Sequence, residues 1–168
     1  MARTYSPSSY DDHFCVKPPA LLWLAVLYLS RALLLLVIYI VSSISMSHAN
    51  PQAVDMLRGT VSIYALIPSL VAAPVLCALL TRGPSSPTLV RWIWSNGRTI
   101  LSLAAILDCM VSIGSSGIIG GDVVNLSPGL LVLALFDVYF LVYILGTRRV
   151  RDAFADFPPH EPARRRRR

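Results

Sequence analysis

The stretch LYLSRALLLL, residues 27–36, sets one arginine, Arg31, inside an apolar run that extends from Ala20 to about Ser43. A run of that length decides the fold class. At a rise of about 1.5 Å per residue, roughly 20 apolar residues cross a hydrocarbon core of about 30 Å. The chain supplies four such stretches, and the spacing predicts helices over residues 20–43, 60–81, 99–119 and 128–146. A composition of 55% hydrophobic and 14% charged residues lies outside the globular balance and fits a polytopic membrane protein. Continuous runs such as LLLLVIYIV exclude the alternating segments of a membrane barrel. The expected fold is therefore all-α, a four-transmembrane-helix bundle.

Ser47-His48-Ala49 resembles a small-x-small cleavage site, but the run before it is too long for a signal peptide and contains Arg31. The expectation is an uncleaved first span. Cys15, Cys77 and Cys109 are odd in number and fall in three different segments, which indicates no disulfide framework.

The cations outside the spans are distributed unevenly. Arg3 and Lys17 precede the first span, Arg82, Arg91 and Arg98 lie between the second and third, and Arg148, Arg149, Arg151 and Arg164 to Arg168 follow the fourth. The other two connections, 44–59 and 120–127, hold only Arg58. Because positive residues in short loops stay cytoplasmic, both termini and the second connection are expected inside. Residues 1–19 then form a cytoplasmic N-terminal segment. Trp23, Trp92 and Trp94 fall near the same boundary, where amphipathic rings anchor.

After the fourth span, Val150, Ala153, Phe154 and Phe157 recur at helical spacing, with Arg149, Arg151, Asp152 and Asp156 elsewhere around the turn. This predicts a short interfacial helix over residues 147–157, lying on the inner leaflet and ended by Pro158 and Pro159. Trp92, Trp94, Arg148, Arg149, Arg151, Phe154 and Phe157 are the expected membrane-surface contacts. Residues 158–168 read as a disordered Arg-rich tail facing anionic phospholipid, since no nucleic-acid fold or aromatic interleaving stands behind them.

Two further ionisable residues lie within spans, Asp108 and Asp137. Counted from the cytoplasmic helix ends, Arg31 lies about 18 Å deep, Asp108 about 15 Å and Asp137 about 17 Å. All three share one level near mid-membrane, and Ala105, Asp108, Ser112 and Ser115 form one small polar face of the third span. The expectation is a buried charge cluster, Arg31 with Asp108 and Asp137, in which a forked guanidinium donates to two carboxylates. One cation against two anions leaves −1, so the cluster imports a cation or proton, or keeps one Asp protonated. Structural glue, a proton or cation relay, and pairing with a partner subunit's charge are the roles weighed.

No G-x-S-x-G, HExxH, P-loop or CxxC is present, so no enzyme activity and no cofactor are expected. His13 and Cys15 beside Asp11 and Asp12 do not match a metal-ligand set, and no metal is expected.

YSPSSYDDHFCVKPPALLWL at the front, YLSR in the first span and RVRDAFADFPP after the last resemble domain-of-unknown-function family 2919, a small bacterial inner-membrane family. Tyr10-Asp11-Asp12, Lys17-Pro18-Pro19 with Trp23, and Phe154 to Pro158 carry the likeness. The resemblance implies a multi-span inner-membrane protein of unassigned activity. The functional expectation is a non-enzymatic accessory or interaction component, with another membrane protein or a second copy as partner; the alternative is a small proton- or cation-coupled transporter.

Overall fold

A computed structural model describes residues 15–46, 63–83, 86–115 and 128–158. The Arg-rich tail beyond Pro158, the connections expected outside the membrane and most of the N-terminal segment lie outside the described residues, as does the end of the expected third span. Among the described residues the chain forms seven helices and no strand. They are α1 (Ala20–Leu29), α2 (Arg31–Met46), α3 (Ile63–Leu80), α4 (Thr88–Ser95), α5 (Gly97–Ser115), α6 (Pro128–Gly146) and α7 (Arg148–Ala155).

Helix α5 is central, packing most extensively against α6 and α3. Small residues allow that approach: Ala25 on α1, Ala72 and Ala78 on α3, and Ala104 and Ala105 on α5 are all buried. Leu22, Val26, Leu29, Val75, Leu101 and Ile144 fill the space between them. Around this core α2 presents Val37, Ile38, Val41 and Ile44 outward, and α6 presents Leu131, Leu135, Phe136 and Val142.

Among the described residues, one helix is by length and composition sufficient alone to cross a membrane, over Gly97–Gly114. Two bent pairs pass the same test together: α1 with α2, and α6 with α7. The apolar part of α3, Tyr64–Leu80, is shorter. The continuous helix expected over 20–43 is thus replaced by two helices meeting at 63°. The break falls on Ser30, at φ −89° and ψ 4°, outside the helical well. Neither glycine nor proline occurs there, whereas α3 continues through both Pro68 and Pro74. Side-chain donors meet the carbonyls freed at the break. Carbonyls at a helix end need donors; Leu29 O receives the Ser69 hydroxyl at 2.9 Å, and Tyr28 O receives Arg31 Nη1 at 3.2 Å.

The opposite end of the bundle is tied by arginines. Arg82, just past α3, donates from Nη1 to Val16 O at 3.3 Å and from Nη2 to Asp156 O at 3.1 Å. Its guanidinium also lies 4.9 Å from the centre of the Trp94 ring. Asp156 Oδ2 accepts from Val16 N–H at 2.9 Å. Arg98, near the start of α5, donates to Ile144 O at 3.2 Å and to Leu145 O, which supplies both cation and donors to the C-terminus of α6. Residue 16, residue 82, α4 and residue 156 therefore share one end of the bundle.

This arrangement corrects two of the expected surface contacts. Trp94 is fully buried, its indole N–H donates to Ala153 O at 2.9 Å, and its ring lies 4.8 Å from that of Phe154. Phe154 is 3% exposed, and Val150 and Ala153 are fully buried with it. The apolar face of α7 is thus turned onto α4 and α5 instead of a leaflet, because the 65° bend after Gly146 folds it back over the bundle end. Phe157 is half-buried beneath Arg91, whose guanidinium is 4.8 Å from its ring centre. Trp92, Arg148 and Arg151 are exposed, and Arg149 is partly so.

Candidate functional site

The charged residues of the expected spans converge where α1 breaks. Arg31, the first residue of α2, reaches Asp108 on α5, with Nη1 to Oδ2 at 2.7 Å. The Asp108 side chain is 4% exposed and that of Arg31 27%. Asp108 thus sits in the protein interior while the stem of Arg31 rises from its edge. The same guanidinium lies 4.2 Å from the centre of the Tyr28 ring, three residues earlier and one turn away. Cation, carboxylate, ring face and backbone carbonyl together satisfy a charge that an apolar environment would otherwise make expensive.

Tyr28 is also the bridge to α6. Its hydroxyl donates to Leu133 O at 3.0 Å, and its ring packs 5.1 Å from Phe140 and 6.0 Å from Phe136. Leu133 is four residues before Asp137, so the carbonyl that Tyr28 holds also faces the N–H of Asp137 within the helix.

Asp137 itself is fully buried. Among the described residues, neither of its carboxyl oxygens meets a donor at hydrogen-bonding geometry. It nevertheless stands within electrostatic reach of Asp108, Arg31 and Tyr28, and Cys109 lies close to both carboxyls. The expected symmetric clamp, one guanidinium gripping two carboxylates, is therefore not the observed geometry. Arg31 spends its Nη1 on Asp108 and on Tyr28 O, leaving Asp137 beside the pair but unbonded. Ser30 Oγ is likewise buried without a partner among the described residues.

The sequence reading missed Tyr28 and Ser69. Tyr28 carried a usable signal, since a residue three before Arg31 shares its helix face. Ser69 carried none, because a hydroxyl amid an apolar helix is commonplace. No group of three or more His, Cys, Asp or Glu side chains arranged to hold a metal ion occurs among the described residues.

Comparison with known proteins finds no curated protein and no solved structure that matches. Residues 5–156 do match one family, described as protein of unknown function (DUF2919), a span that takes in the Arg31–Asp108 bridge, Asp137 and the Val16–Arg82–Asp156 knot. The chain therefore belongs to the DUF2919 family.

Proposed function

We propose that this chain is a four-span bacterial inner-membrane protein that acts as a non-enzymatic accessory or interaction component. The observation that carries the reading is the Arg31–Asp108 bridge. The cation is met within the chain by a carboxylate, a ring face and a carbonyl, so it serves to fix α2 against α5. A pair of this kind selects which helices associate, because either charge left alone in an apolar medium is strongly disfavoured.

The apolar belt on α2 and α6 supports a bilayer environment, since soluble monomers rarely expose a continuous surface of this kind. On this reading α1 with α2, then α3, α5 and α6 are the four spans, and the arginine-rich end is cytoplasmic. Trp92, Arg148 and Arg151 then meet the anionic inner leaflet. A small proton- or cation-coupled transporter is the second reading, favoured by the unbonded carboxyl of Asp137.

Photocrosslinking from lipid-facing positions such as Ile38 and Leu135 in native membranes tests the first reading. A discrete adduct with one other membrane protein, or with a second copy, is the expected result. No adduct from either helix, together with proton-driven solute flux in liposomes containing the chain alone, would replace it with the second.

A further inference from the structure

We propose that Asp137 is a proton-binding site, carrying a proton at neutral pH beside the Arg31–Asp108 bridge. The inference rests on the membrane-embedded reading above, and goes beyond it by naming the ligand that balances the cluster. A carboxylate in an apolar interior needs donors, and Asp137 is fully buried with both oxygens unbonded.

Two of the donors near it bond elsewhere. The single hydroxyl hydrogen of Tyr28 goes to Leu133 O. Arg31 Nη1 goes to Asp108 Oδ2 and Tyr28 O. The titratable groups facing Asp137 are Tyr28 from α1, Arg31 from α2, and Asp108 and Cys109 from α5. Only one of these is a cation, and it is bonded to the other carboxyl. An ionised Asp137 would therefore stand beside a second anion with a net charge of −1 in the bundle. Protonation removes that charge and converts Asp137 from an acceptor without donors into a donor, with the Asp108 carboxylate as the acceptor in reach.

A metal cation is the competing ligand, but the donor set does not favour it. The two backbone oxygens at the helix break, Tyr28 O and Leu29 O, already accept from Arg31 and Ser69. A proton needs one oxygen, which Asp137 supplies.

Infrared spectroscopy of the full chain in lipid vesicles reads the proton directly, through the carbonyl stretch of a protonated carboxyl group. At neutral pH the wild type should show this band and Asp137→Asn should lack it. Asp137→Glu should restore it at a shifted frequency, and alkaline pH should remove it reversibly. Asn has the shape of a neutral Asp, so Asp137→Asn should also match the wild type in membrane yield, which keeps the comparison free of folding loss. Absence of the band in the wild type at neutral pH, or its survival in Asp137→Asn, would overturn the proposal. A band that sodium abolishes and choline preserves would assign the site to a cation instead, and one that no alkaline pH removes would make Asp137 a permanently neutral packing group. None of these outcomes disturbs the membrane reading, whose failure would show separately as a chain extracted from membranes by alkaline carbonate.

Discussion

Arg82 and Val16, 66 residues apart, are joined by a hydrogen bond of 3.3 Å from guanidinium to backbone carbonyl. The same guanidinium holds Asp156 O. One side chain thus gathers the segment before α1, the turn after α3 and the segment after α7 at a single end of the bundle. For a chain crossing a bilayer, that placement requires an even number of crossings between residues 16 and 82 and again between residues 98 and 148.

Sidedness follows. Thr88→Cys on α4 and Arg148→Cys on α7, each in a background lacking Cys15, Cys77 and Cys109, should be shielded together from an impermeant thiol reagent in intact cells. Both should label after permeabilisation. Labelling of one site and not the other in intact cells would contradict the shared end, whereas labelling of both would keep it and reverse the orientation.

The elbow between α4 and α5 depends on a missing side chain. A Cβ built on Gly97 would overlap Cε1 of Phe154, closer than any relaxed contact. Gly97→Ala should therefore push the ring off Trp94 and destabilise the protein by about 1–3 kcal/mol, read as a lower melting temperature in detergent. In a Phe154→Ala background the same change should become close to neutral. Equal losses in both backgrounds would mean that the strain lies in the backbone rather than in the ring.

The helix break predicts a role for a hydroxyl on a neighbouring helix. Ser69→Ala removes the donor to Leu29 O and leaves that carbonyl short of a partner beside the charge pair. A loss of about 1–3 kcal/mol is expected. Ser102→Ala, whose hydroxyl back-bonds to Arg98 O within its own helix, should cost well under half of that. The two variants compared by thermal unfolding decide the matter, and equal effects would remove the reason given for the break.

Helix class, and the level along the helices at which Arg31 and Asp108 meet, were legible because both depend on counting. An apolar run and a rise per residue place Arg31 and Asp108 at one level without any tertiary information. The break at Ser30 was not legible. No breaker residue marks it, and the donors that cap it are Ser69, 39 residues away, and Arg31, which is held in turn by Asp108, 78 residues away. The burial of Trp94 and Phe154 was hidden for a related reason. An amphipathic helix of eight residues presents the same pattern whether its apolar face meets a lipid headgroup region or another helix. What distinguishes the cases here is the pairing of the Trp94 indole with Ala153 O, a contact across 59 residues. Likewise, charge counting identified an excess carboxylate but could not say that Arg31 chooses Asp108 over Asp137.

The most direct test of the account is a double-mutant cycle on Arg31 and Asp108, read as thermal stability of the protein purified in detergent. Asp108→Leu alone should cost about 3–5 kcal/mol, because an arginine cannot discharge and is left unpaired in the bundle. Arg31→Leu alone should cost less, because Asp108 can protonate. Asp108→Leu with Asp137→Leu should be the most damaging combination, leaving Arg31 no carboxyl at all. Arg31→Leu with Asp108→Leu should recover much of the loss, so that the double variant is more stable than Asp108→Leu alone. Strictly additive losses would contradict the account, since they would mean that Arg31 and Asp108 contribute separately and that no bridge between them holds the bent helix to the centre of the bundle.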